Sequence, residues 1–108
     1  MIRFDDQPPM SAAADKWAQS VLIKSDKFRD EKFSNFFKYG SDTAQRIYTL
    51  PRKININNIF LFNIHGGAWE YGYPEWMLFT YEYFKNYNLN LVVPGYRLAP
   101  KSKFKEQI

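Results

Sequence analysis

Along the chain, apolar positions first follow a helical period and then a strand period. After an irregular arm closed by Pro8-Pro9, Ser11 is placed to cap a helix over Ala12 to Ile23. A second helix is predicted from Asp26 to Lys38, where Phe28, Phe33, Phe36 and Phe37 recur at spacings close to one helical face. Those rings read as packing surface. Tyr39-Gly40-Ser41-Asp42 is then expected to stop the helix, since glycine is the usual residue just past a helical C-terminus.

From Arg46 the period shortens. Arg46-Ile47-Tyr48-Thr49-Leu50 is a β-prone run closed by Pro51, and the polar stretch Arg52 to Asn58 reads as a turn. Ile59-Phe60-Leu61-Phe62-Asn63-Ile64 is nearly continuous in apolar residues, which predicts a strand buried on both faces. A helix fits Glu75 to Tyr87 after Pro74, and Leu89 to Val93 makes another buried strand. Strand, helix, strand at this spacing is a βαβ unit, whose crossover favours parallel pairing. The predicted class is α/β, with a mostly parallel sheet flanked by helices. Residues 1–38 are read as an N-terminal helical segment and residues 39–108 as the start of an α/β core. Phe104 to Ile108 looks like the first turn of a further helix, which leads to the expectation of an incomplete, N-terminal portion of a larger fold.

Composition narrows the classes further. Among 108 residues, 45% are hydrophobic, with 10 Phe, 8 Tyr and 3 Trp, and this much ring surface argues against a disordered chain. With no cysteine and only His65, neither a disulfide framework nor a thiolate or multi-histidine metal site can be built, and no metal or cofactor is expected. Fifteen Lys and Arg against eleven Asp and Glu give +4. The basic residues alternate with acids through Asp15 to Lys38, and only Lys101, Lys103 and Lys105 cluster, so nucleic acid is not an expected partner. There is no apolar leader after Met1 and no window long enough to span a membrane, and the expected location is the cytoplasm.

The chemistry concentrates in Asn63-Ile64-His65-Gly66-Gly67-Ala68-Trp69, at the C-terminal end of a predicted strand, where open α/β sheets place ligands. Two consecutive glycines permit a sharp bend and leave N–H groups uncovered by side chains. By itself this is also a Gly-Gly turn between strand and helix, with His65 hydrogen-bonded in the turn. The segment resembles the oxyanion segment, His-Gly-Gly-x-Trp, of α/β-hydrolases related to hormone-sensitive lipase, feruloyl-type esterases and kynurenine formamidases. One helix later, Tyr96-Arg97-Leu98-Ala99-Pro100 resembles their Tyr-Arg-Leu-Ala-Pro segment, although Gly95 stands where an acidic or amide residue is more usual. The resemblance covers roughly Tyr39 to Ile108.

It implies a serine hydrolase acting on a carboxylic ester or an aryl formamide, with no cofactor. Gly67 and Ala68 would donate backbone N–H groups to the oxyanion while Gly66 shapes the loop. His65, Trp69, Tyr96 and Arg97 would be structural, Arg97 anchoring its loop by a salt bridge. Tyr71, Tyr73 and Trp76, with Trp69, would line a substrate pocket, although ordinary packing accounts for such aromatics equally well. The catalytic histidine of this fold comes last in the chain, so His65 is not it.

No Gly-x-Ser-x-Gly occurs, and Ser11, Ser20, Ser25, Ser34, Ser41 and Ser102 all lack that setting. The nucleophile, acid and base are therefore expected beyond Ile108, and these residues alone should not hydrolyse esters. In the resembling sheets, the strand ending at His65 has the Leu89 to Val93 strand on one side and a later strand on the other. The expected partner is hence the remainder of a hydrolase chain, or a second copy, covering an open apolar edge. A competing reading is a non-catalytic module that keeps the hydrolase start for binding.

Overall fold

The computed structural model describes residues 3–51, 59–87 and 89–108. Four strands, β1 (Asn35–Lys38), β2 (Arg46–Leu50), β3 (Phe60–Phe62) and β4 (Asn90–Pro94), form one sheet in the order β1-β2-β4-β3. Around it, among the described residues, lie three α-helices, α1 (Ala12–Ser25), α2 (Tyr81–Phe84) and α3 (Phe104–Gln107), and two 3₁₀ segments, Asp26–Arg29 and Pro74–Thr80. The architecture is α/β, as the patterning predicts. β3 and β4 run parallel, Phe60 opposite Asn90 and Phe62 opposite Val92, with the 3₁₀ segment and α2 as their crossover. The sheet is otherwise antiparallel: β2 pairs that way with both β1 and β4, so the described strands make a mixed sheet, not a mostly parallel one.

α1 begins where expected. Ser11 Oγ accepts from the Ala14 N–H at 3.2 Å, and the helix runs two residues past Ile23. It buries Ala18 and Val21 against Tyr73 and, in the crossover, Trp76. A second cluster, Phe28, Tyr48, Leu50, Leu78, Leu91 and Val93, joins one face of the sheet to the crossover, each side chain contributing about 1.5–3 kcal/mol relative to exposure.

The predicted helix over Asp26 to Lys38 is not formed. It stops after one 3₁₀ turn because the Asp30 carboxylate accepts from the Lys32 N–H at 2.9 Å while its carbonyl accepts from Phe33 and Ser34, a local closure that competes with helix propagation. Asn35 to Lys38 then gain cross-strand pairing in register with Thr49 to Arg46. Tyr39-Gly40-Ser41-Asp42 accordingly lies in a hairpin loop instead of ending a helix, and this hairpin bridges positions 38 and 39.

β3 differs too. It is shorter than Ile59 to Ile64 and sits at the sheet edge, with Phe60 57% and Phe62 60% exposed. Only Leu61 packs against the core, because the helical segments cover one face of the sheet and the strand's alternation turns Phe60 and Phe62 to the other. The crossover starts at Pro74 but is 3₁₀ through Thr80, where the Phe79 N–H donates to Ser25 Oγ at 2.9 Å. The predicted turn at Arg52 to Asn58 lies outside the described residues. Among the described residues, no helix is long and apolar enough to cross a membrane.

Candidate oxyanion site

The chain leaves β3 tightly held: the Asn63 N–H donates to the Val92 carbonyl at 2.8 Å, and its side-chain amide reaches Thr80 Oγ1 at 3.0 Å. Beyond it the backbone turns through left-handed conformations at three successive residues, Gly67 (φ 131°), Ala68 (φ 54°) and Trp69 (φ 63°). Such φ values disfavour Ala and Trp by about 1–2 kcal/mol each, so surrounding contacts must hold them. The Gly67 carbonyl accepts from the N–H groups of Glu70 and Tyr71, at 3.0 and 2.9 Å. The Trp69 carbonyl accepts from the Ala99 N–H at 2.9 Å and the Gln107 side chain at 3.0 Å. A side chain at position 67 would run into the Tyr71 carbonyl, so only glycine fits.

The loop closes on itself through the Glu70 and Tyr71 amides. Among the described residues, no carbonyl or side chain accepts from the N–H groups of Gly66, Gly67 or Ala68. These three residues line a cavity of about 340 Å³, walled further by His65, Trp69 and Tyr96.

His65 is buried and stacks on the Tyr96 ring, centroids 4.4 Å apart and planes 8° from parallel. Its Nδ1 lies 2.8 Å from the Gly66 carbonyl, which can only accept, so the neutral ring carries its proton there. Burial lowers its pKa. Tyr96 also donates its hydroxyl to the His65 carbonyl at 3.2 Å. Gly95 is explained by crowding: a Cβ there would lie 2.6 Å from the Ala44 carbonyl oxygen.

Other expected residues fall elsewhere. Tyr71, Tyr73 and Trp76 do not wall this cavity; they pack beneath α1 and line a second cavity of about 300 Å³ with Phe4 and Met10. Trp69 does line the first, edge-on to Phe104 at 5.9 Å. Arg97 makes no ion pair among the described residues and donates instead to the Glu106 carbonyl of α3 at 2.7 Å, tying its loop to a helix by a main-chain contact where a salt bridge was expected.

The most constrained charges lie away from the loop and match no motif. Glu75, fully buried, takes a two-pronged contact from Arg46 at 2.7 Å on each oxygen and a third bond from the Tyr48 hydroxyl at 2.8 Å. Arg46 also donates to the Thr43 carbonyl at 2.8 Å. Burial and then the Glu75 carboxylate push the Tyr48 hydroxyl far above the usual tyrosine range. For Arg46, burial alone would lower the pKa, but Glu75 more than offsets it. The available signal was an acid inside the aromatic run Tyr73-Pro74-Glu75-Trp76 and an Arg at the inward end of the alternation Arg46, Tyr48, Leu50. The described residues contain no group of three or more His, Cys, Asp or Glu able to hold a metal ion.

Two solved proteins are similar in structure. A candidate thioesterase from Silicibacter sp. TM1040 superposes with a TM-score of 0.76 at 17% identity, covering 96% of this chain and 40% of the other. Esterase B from Lactobacillus rhamnosus gives a TM-score of 0.58 at 21% identity, covering 87% and 33%. The likeness shows a shared fold, and the chain spans two fifths or less of the length of these structures. No family model matches the sequence, and no curated protein does either.

Proposed function

We propose that this chain forms the oxyanion-hole end of a serine hydrolase acting on a carboxylic ester or an aryl formamide. One observation carries the reading: a bend of three left-handed residues leaves the amides of Gly66, Gly67 and Ala68 without partners beside a cavity. Gly67 and Ala68 are assigned as donors and Gly66 as the residue that shapes the approach. When a serine oxygen attacks the substrate carbonyl carbon and passes its proton to a base, negative charge gathers on the carbonyl oxygen. Rigid N–H donors stabilise that charge, each by about 3 kcal/mol in the transition state. His65 is assigned no proton-transfer role, since it is neutral, buried and committed to Gly66. The serine, acid and base belong to segments outside these 108 residues. The resemblance of His65–Trp69 and Tyr96–Pro100 to esterase motifs, and the shared fold with an esterase, support this reading.

The test uses the protein expressed from its complete gene. It should take up a serine-reactive fluorophosphonate and hydrolyse p-nitrophenyl butyrate. Gly67→Ala forces a side chain toward the Tyr71 carbonyl and should lower kcat about 10²–10³-fold with KM little changed. Absence of labelling and turnover, or an active Gly67→Ala variant, would refute the reading. The first of those outcomes would favour a non-catalytic binding module.

A further inference from the structure

The loop that carries the candidate donors has two limbs, and the structure holds the second through a residue far away in sequence. Gly72 ends the return limb. Its N–H donates to Gln7 Oε1 at 2.8 Å and its carbonyl accepts from Gln7 Nε2 at 2.9 Å, so one primary amide satisfies both polar groups of one residue 65 positions downstream. This two-point contact copies a rung of β-sheet and fixes orientation as well as position. Beside it, the Tyr73 hydroxyl donates to Asp6, and the Phe4 ring meets the Tyr73 ring edge-on at 5.2 Å. The arm from Phe4 to Gln7 therefore lies as a strap across Gly72 and Tyr73.

Gly72 in turn touches the donor limb. With φ 118°, its Cα is so close that an added Cβ would strike His65 Nδ1 and lie 2.6 Å from the Gly66 carbonyl oxygen. The two limbs are thus in van der Waals contact where the donor amides begin, and displacement of Gly72 releases the surface against which His65 and Gly66 rest. The Gly67 carbonyl cannot replace that support, since it is already shared by Glu70 and Tyr71.

We infer that Gln7 is a positioning residue of the oxyanion site, acting through its paired hydrogen bonds to Gly72 on the backbone of Gly66 to Ala68. The catalytic part of this inference rests on the function proposed above; the mechanical part does not. Gln7 is polar, only partly buried and outside both hydrophobic clusters, so its replacement should leave the fold standing.

The experiment compares wild type, Gln7→Ala and Gln7→Glu in the complete gene product, by p-nitrophenyl butyrate kinetics and by hydrogen exchange resolved at single amides. Glutamate keeps an acceptor for the Gly72 N–H and loses the donor to its carbonyl. Gln7→Ala should lower kcat about tenfold to a hundredfold, the effect of misplacing catalytic groups by about 1 Å, with KM within about twofold. Gln7→Glu should fall between. Exchange at Gly72 and Tyr73 should accelerate tenfold or more, that of Gly66 to Ala68 should change with it, and β2 and β4 should keep wild-type protection. Unchanged exchange at 66–73 in Gln7→Ala, or a loss of protection spread evenly over the sheet, would overturn the inference. An active wild type whose kcat is insensitive to Gln7 would overturn it while leaving the proposed function intact. An inactive wild type whose loop still loosens would sustain the strap and remove the proposed function.

Discussion

Replacing Glu75 by Gln tests how the crossover is anchored to the sheet. The substitution keeps the side chain's shape but removes its charge. Arg46, with 6% of its side chain exposed, then loses its carboxylate partner among the described residues, and one amide oxygen must serve donors that two carboxylate oxygens served before. Breaking a buried pair from one side costs about 3–5 kcal/mol, because the remaining charge is stranded away from water. With a urea dependence of about 1–2 kcal/mol per molar for a chain of this size, the midpoint should drop by about 1.5–5 M. Such a loss is a large part of the 5–15 kcal/mol typical of folded domains. Urea unfolding followed by tryptophan fluorescence provides the readout, since Trp76 is buried one residue away. The companion variant replaces all three groups by apolar shapes, Arg46→Met, Tyr48→Phe and Glu75→Leu. It should lie within about 1 kcal/mol of wild type or above it, because desolvation of the pair is removed together with its attraction. A Glu75→Gln cost below about 1 kcal/mol, or a triple variant less stable than the single one, would refute the account of a dry ion pair.

Two further outcomes are expected. His65, its pKa lowered by burial, binds a proton more readily when unfolded, so its contribution is complete above about pH 6.5 and shrinks as pH falls through the interval down to its folded value. Wild type should therefore lose stability relative to His65→Gln between pH 7.5 and 5, by at most about 1.4 kcal/mol per pH unit; parallel pH profiles from urea titrations would contradict this. The 108-residue chain should self-associate through β3, an edge strand with Phe60 and Phe62 exposed and no charged residue within it. Light scattering should show Phe60→Lys with Phe62→Lys shifting it toward monomer, and a monodisperse wild type would defeat the expectation.

Local chemistry made several elements readable. Ser11 is a cap wherever a helix follows, so α1 was legible, and a β-rich run such as Arg46–Leu50 makes a strand with little help. The bend at Gly66-Gly67 was legible because only glycine enters position 67 at φ 131°. The segment Asp26–Lys38 misled because its phenylalanines fit a helical face by spacing alone. Whether Asn35–Lys38 pairs depends on β2 being alongside, which no local pattern contains. The aromatic run after the loop is ambiguous in sequence: Tyr71, Tyr73 and Trp76 suit a pocket wall or a packing surface equally well, and the contacts they make depend on where α1 lies.

What the sequence determined by itself was the order of helix and strand around a double-glycine bend, since periodicity, capping and freedom at positive φ are properties of neighbouring residues. Tertiary structure alone decided which strand became the edge, how Arg46 found Glu75 across 29 positions, and how Gln7 came to grip Gly72 across 65. The reason is physical. A buried charge or a two-point amide contact is favourable only when its partner is already held in place, and the chain between the partners carries no record of that meeting.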